Sequence, residues 1–261
     1  MGLNANKEAV LLRLNKERQV EALNKIGFTE VTMATPLSEI AEYIKWAGGL
    51  RDLRLAVVRN GEEEISYFTA EEWSALSANA KSNYQKAGIC VRAHCLEWIV
   101  GPRDCVDDNG GETFPFGGYG LDFKGVRHFG SNSSGLYEHL DGLSDTEAIV
   151  AQAAGYKDSQ GIIGSPAAEA ALGFKAFVGD PLRWHMPAFV YKHYMCEYMT
   201  EINAFFDKFF GGQGKLQSGY YWTSTLFNPS YSWSVYMSSG ISGNNYRSNS
   251  YRVRPVGVVA K

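Results

Sequence analysis

Between Ser218 and Ala260 the chain has no Asp, no Glu and no Lys, although charged residues make up 20% of the whole. That stretch therefore lacks the carboxylates on which a hard-cation site depends. Other absences bound the rest of the chain. Lys and Arg (25) nearly balance Asp and Glu (28), and no basic block occurs, so the electrostatic footprint of a nucleic-acid binder is missing. No apolar run approaches the roughly 18 residues that a membrane-spanning helix needs. The opening MGLNANKEAVLLRLNKERQ has neither a long apolar core nor a small-residue cleavage site, which predicts no signal peptide. Cys90, Cys95, Cys105 and Cys196 form no CxxC knuckle and no dense framework, so reduced thiols are expected.

What fills this stretch is mostly Ser, Tyr and Asn, with Trp222 and Trp233 set among them. Tyrosine offers a large amphipathic contact at low entropy cost, and small polar residues adapt their hydrogen bonds. Such a composition predicts a binding face.

The first part of the chain reads as helical. Val10, Leu11, Leu14, Leu23 and Ile26 recur at helical spacing without holding a heptad, which predicts an amphipathic helix. Thr35-Pro36 opens a second helix with the stripe Leu37, Ile40, Ala41 and Ile44, ended by Gly48-Gly49. A short strand, Leu53 to Val58, and a turn at Asn60-Gly61 follow. A third helix is predicted from Thr69 to Gly88, with Thr69 and Glu72 as a capping box. Strands are then expected at 89–93 and 98–100, with a long loop region over 107–142. Short helices are expected over 144–154, with Ser144 and Glu147 as a second capping box, and over 165–172. After Trp184 and Pro187 one long helix is predicted, carrying Met195, Tyr198, Met199, Ile202, Phe205, Phe206 and Phe209, and it needs a sheet to pack on. The closing segment reads as strands at 221–224, 232–238 and 251–256. In the middle one Trp233, Val235 and Met237 face inward, and Ser232, Ser234, Tyr236 and Ser238 face outward.

The order of these motifs carries a resemblance. Trp184 and Pro187 enter a long helix; Tyr221, Trp222, Ser224 and Thr225 follow; then come Ser232, Trp233 and Val235, and finally Ser250, Tyr251, Val253, Arg254, Pro255 and Val256. This series resembles the C-type-lectin-fold module of bacterial and phage surface proteins, and within it the variable proteins of diversity-generating retroelements. The likeness is specific over about residues 165–261, extends to about residue 89, and is silent on 1–60. It implies an α+β chain: a C-type lectin-like domain (88–261), a twisted antiparallel sheet with packed helices, preceded by a mainly helical attachment or oligomerisation region (1–87). It also implies a ligand-binding protein whose 3′ coding end is rewritten at template adenines.

The genetic code bears on that point independently. Randomising both adenines of an AAC or AAT codon never yields a stop, Lys, Glu, Gln, Met or Trp. Between Ser218 and Ala260 those five residues occur only as Trp222, Trp233 and Met237. The tryptophans fall on positions of the resembled scaffold, and Met237 on the inward face. The expected hypervariable segment is 218–260, and pleat and loops select its ligand-facing positions. They are Leu226, Phe227, Asn228, Ser230 and Tyr231; Ser234, Tyr236 and Ser238; and Ser239, Ile241, Ser242, Asn244, Asn245, Tyr246, Ser248 and Asn249. The expected partner is a protein or glycan receptor on a cell surface, reached from a virion, prophage particle or bacterial surface, with homo-oligomers as a route to avidity. A non-variable structural module of a virion or cell-surface assembly is the alternative.

Catalysis and cofactors find less support. Asp104, Asp107, Asp108 and Glu112 surround Asn109-Gly110-Gly111, but counting back from Gly110 places Cys105 at the first ligand position of an EF-hand, so that motif fails. The formylglycine-generating oxidases share the resembled fold and use an active-site cysteine. The C-terminal strands here have none, and Cys196 falls in the long helix. His94, His128, His139, His185 and His193 lack HExxH spacing, and no G-x-S-x-G elbow occurs. A Ser-His-Asp grouping assembled in space stays open to the sequence. The expectation is a binding protein with no catalytic residues, no metal and no cofactor.

Overall fold

Backbone pairing and apolar burial divide the chain into two units, residues 1–54 with 90–98, and residues 55–89 with 99–261. The computed structural model describes residues 11, 14–25, 27–130 and 135–259, with the side chain of residue 259 left aside. Val10, Ile26 and Ala260 of the sequence reading lie outside these. The boundary read at 87–88 falls within a strand, Tyr84–Ala93.

In the first unit, helices α1 (Lys16–Lys25) and α2 (Leu37–Gly48) bury Val20, Leu23, Ile40, Ile44 and Ala47 with Leu11, Phe28 and Val31. Leu37 is exposed, because the buried stripe begins one turn later at Ile40. The Arg51 and Arg92 guanidiniums each lie 4.9 Å from the Trp46 ring, a cation–π arrangement that covers an otherwise half-buried indole. A two-residue turn, His94-Cys95, has both residues at positive φ, as a hairpin turn matched to strand twist requires.

The second unit is built on a six-stranded sheet. Its strands are β1 (Leu50–Arg59), β2 (Ile65–Phe68), β3 (Tyr84–Ala93), β4 (Leu96–Val100), β6 (Leu182–His185) and β11 (Val256–Val259), in the order β2-β1-β3-β4-β11-β6. Strands β1, β3 and β4 run on into the first unit. The closing strand β11 lies antiparallel between β4 (Val256 opposite Val100) and β6 (Val256 opposite His185). Between β2 and β3 the predicted single helix is two short ones, α3 (Ala70–Ala75) and α4 (Ala78–Lys81). The Thr69–Glu72 capping box forms as expected. Ser77 then caps a new helix, and Tyr84 to Gly88 is strand. Gly88 is therefore no helix stop: a Cβ there would collide with the Val100 carbonyl of β4.

Helix α5 (Gly142–Ala153) begins two residues before Ser144, so Ser144 does not cap it, and Glu147 instead pairs with Arg183. Helix α6 spans Pro166–Leu172. The long helix expected after Pro187 is broken at Tyr198 (φ −107°, ψ 24°) into α7 (Phe189–Glu197) and α8 (Met199–Phe210). Gly211 ends α8 in the left-handed region. Phe209 of α8 packs on Leu55 and Val57 of β1 and on Trp73, so this helix does rest on a sheet. A two-stranded sheet pairs β5 (Phe114–Pro115) with β10 (Ser250–Tyr251). A separate three-stranded antiparallel sheet, β7 (Tyr220–Asn228), β8 (Tyr231–Tyr236) and β9 (Ser242–Tyr246), carries much of the segment that lacks Asp, Glu and Lys. The chain is thus a mixed α+β protein with antiparallel sheets.

Candidate ligand-binding surface

The β7–β8–β9 sheet is fixed from below by buried polar pairs. The Trp222 indole N–H donates to the Phe114 carbonyl at 2.9 Å, and the Tyr221 hydroxyl donates to Asp104 at 2.9 Å. Asp104 also receives Arg254 Nε at 2.6 Å, and Arg252 bridges Asp104 and Glu112. Asp107 accepts the backbone N–H of Asn109 and Gly111. Of the acidic loop cluster, then, Asp104 and Glu112 are matched to arginines, and Asp107 shapes the turn. Among the described residues no three His, Cys, Asp or Glu side chains converge as a metal site.

Arg247 is the other anchor, and it is fully buried. Its guanidinium donates to the carbonyls of Gly118 (3.1 Å), Leu121 (2.9 Å) and Asn228 (2.7 Å), and Nε donates to Ser232 Oγ (3.2 Å). The Phe116 and Phe123 rings flank it. Burial brings its pKa down to about 9. This one side chain ties the Gly117–Leu121 loop to the β7–β8 turn and to β8.

The outward positions read from the pleat divide. Leu226 and Ser234 are fully buried, which corrects their assignment to the ligand-facing set. Leu226 continues β7 and accepts the Phe129 N–H on its carbonyl. Ser234 Oγ accepts from Asn245 Nδ2 at 2.7 Å, and Ser232, also expected outward, is buried against Arg247. Serine is small enough for both faces of β8 to be covered at its centre. Simple alternation assumed one face wet.

Ser238, Ser239, Ile241, Asn244 and Tyr246 are exposed, with Ile241 at 62% and Tyr246 at 48%. Phe227, Asn228, Ser230, Tyr231, Tyr236, Ser242, Asn245, Ser248 and Asn249 are half-buried. Asn228 has a turn-forming role, since its side-chain oxygen accepts the N–H of Ser230 and Tyr231. Asn249 and Asn245 both bond the Tyr251 hydroxyl, and the Tyr236 ring packs on Tyr220 at 4.9 Å.

The aromatic members join into a shelf. The Tyr231 and Tyr246 rings are 4.3 Å apart, and Phe227 bridges Tyr231 (6.2 Å) and Trp233 (5.6 Å). Trp233 continues to Phe189, which stacks on His193 and meets Tyr137. A hydrogen bond between the Tyr231 and Tyr246 hydroxyls, which the neutral Tyr231 phenol donates, and to a lesser extent desolvation push the Tyr231 phenol up to about 12. Tyr119, Tyr137 and His193 were missed by the sequence reading. Tyr119 had a signal: it stands among Gly117, Gly118 and Gly120, all at positive φ, and its ring reaches Tyr246 at 6.3 Å. Tyr137 and His193 meet the shelf only through tertiary packing on Phe189.

A cavity of about 660 Å³ lined by Glu63, Arg103, Lys175, Phe177, Val178, Gly179, Asp180 and Pro181 includes none of the shelf residues. His139 and Asp145 form a buried pair at 2.6 Å beside Phe129. Among the described residues no helix is long and apolar enough to cross a membrane. Comparison with protein-family models, with curated proteins and with solved structures finds no match to this chain.

Proposed function

We propose that this chain is a ligand-binding protein of the diversity-generating-retroelement type. Its C-type lectin-like domain presents a rewritable C-terminal face, displayed on a virion, prophage particle or bacterial surface, to a protein or glycan receptor. The observation that carries the reading is the joint placement of Phe227, Tyr231, Ile241, Asn244 and Tyr246. All five are exposed or half-buried in a stretch with no Asp, Glu, Lys or Arg before Arg247, and Tyr231, Asn244 and Tyr246 share one face of the β8–β9 pair, while Trp222, Tyr221, Met237 and Arg247 are fully buried. The fold part of the reading is supported by the Trp184–Pro187 entry into α7 and by the return of β11 to β4. Affinity would come from the aromatic shelf, with the adaptable Ser and Asn side chains setting specificity. The proposal gives the chain a binding role and no catalytic step.

The gene neighbourhood tests this. The reading expects a reverse-transcriptase gene close by and a template copy of the 3′ coding end that differs from it only at adenines. If both are absent, the chain is a fixed structural module and the proposal falls.

A further inference from the structure

Among the described residues no strand pairs with the outer edge of β9, and its backbone, more than its side chains, defines what fits there. Strand β8 bonds β7 through its odd-numbered residues, as Met237 N–H donating to the Gly219 carbonyl marks at 2.9 Å. It bonds β9 through its even-numbered residues. The pairs Ser232–Asn245 and Ser234–Gly243 are framed by Arg247 N–H donating to the Ser230 carbonyl and Tyr236 N–H donating to the Ile241 carbonyl. In an antiparallel ladder the intervening residues turn their N–H and C=O groups the other way. Ser242, Asn244 and Tyr246 therefore direct these groups away from β8, and β9 is the last strand of its sheet. Of them, only the Tyr246 carbonyl has a partner among the described residues, the Asn249 N–H.

Protein sheets usually protect such an edge with Lys, Pro, a bulge or a covering loop. The β9 sequence Ser-Gly-Asn-Asn-Tyr supplies no charge and no proline, and its register to β8 is unbroken. The Tyr231–Tyr246 pair lies beside this edge, next to the position that the side chains of an added strand would occupy. From Ser218 to Tyr246 there is no Asp, Glu, Lys or Arg, so strands β7, β8 and β9 themselves offer a charged strand no counter-ion.

We propose that β9 is a docking edge for an uncharged extended peptide segment of the receptor, which adds as a fourth strand opposite Ser242–Tyr246. The main-chain bonds supply an affinity independent of side-chain identity, and the shelf reads alternate residues of the incoming strand. That division of labour suits a face whose side chains change. This inference deepens the binding reading and rests on it for the site, but the geometry of the edge stands by itself.

The test uses the isotope-labelled full chain and a capped hexapeptide of alternating Thr and Val. Two N-methylated versions are compared, each blocking one edge of the peptide. Amide hydrogen exchange at Ser242, Asn244 and Tyr246 should be fast in the free protein and slow at least tenfold with the peptide. One N-methylated version should lose this protection and the other keep it. Protection that survives both methylations, or no change at β9 at saturating peptide, overturns the proposal. Slow exchange at these three amides that depends on protein concentration overturns it too, because a second copy would then occupy the edge. The Asn244→Pro variant, which removes an outward N–H and takes no donor from the β8–β9 ladder, should abolish peptide protection while leaving Gly243 and Asn245 slow. If it unfolds, the methylated pair still decides. The gene-neighbourhood result is independent, so a fixed module with a working edge and a variable protein without one are told apart.

Discussion

Arg247 stands within the segment expected to vary, yet its guanidinium is enclosed by three carbonyls and a hydroxyl, with no carboxylate at ion-pair distance among the described residues. Removing it would orphan those acceptors and leave a hole between Phe116 and Phe123. The Arg247→Met variant should lose about 3 kcal/mol in urea unfolding, the usual scale for breaking a buried charged network. Asn244→Ser or Ile241→Asn on the exposed face should stay within about 0.5 kcal/mol. Lys192 makes a second prediction at this scale. It is fully buried, bonds the Arg254 carbonyl at 3.2 Å, and burial lowers its pKa to about 7. Between about pH 7 and the ordinary lysine value near 10.4 the unfolded chain holds the proton and the folded chain does not. The Lys192 contribution to stability therefore rises with pH across that window and is flat below it. Lys192→Met should be more stable than the parent at pH 6–7, with the gap closing towards pH 10. Measuring the difference between the two proteins removes groups that titrate independently of Lys192, such as the buried thiol of Cys90, which burial pushes upward.

At the scale of elements, two similar sequence motifs had different fates. Thr69-x-x-Glu72 caps α3 with both reciprocal bonds, whereas Ser144-x-x-Glu147 lies inside α5 because the helix starts at Gly142. Thr69→Ala should cost about 1 kcal/mol, the usual worth of a cap, and Ser144→Ala no more than about half of that. Thermal melts of the two variants separate a motif that works from one that only looks right. Periodicity located most helices and the β7 and β8 regions, since apolar spacing is local information; the strand expected at 251–256 is instead split between β10 (Ser250–Tyr251) and β11 (Val256–Val259). It failed at β9, whose Ser, Gly and Asn have poor strand propensity and become a strand through pairing with β8. It failed also at Tyr84 to Gly88, where helical spacing continues but β4 recruits the chain. Gly88→Ala should be severely destabilising, since the added Cβ meets the Val100 backbone carbonyl, which cannot move aside. Loss of the cooperative unfolding transition would register it.

For the whole molecule, the absence of Asp, Glu and Lys over Ser218–Ala260 pointed to the surface now formed by β7, β8 and β9 and their loops. What composition could not reveal is which polar residues turn inward. Ser232, Ser234 and Arg247 look like surface residues in the sequence and are core in the fold, because their partners come from residues 116–123 and from β9. Nor could it reveal Tyr137 and His193, which reach the shelf through Phe189. The central claim is a fixed scaffold beneath a rewritable face, and deep sequencing of the 3′ coding end across sibling isolates tests it most directly. Substitutions should concentrate at Phe227, Ser230, Tyr231, Ile241, Asn244, Tyr246 and their exposed neighbours. Trp222, Leu226, Ser234, Met237 and Arg247 should not change. Substitutions spread evenly along the gene, or equally frequent at these buried positions, would contradict it.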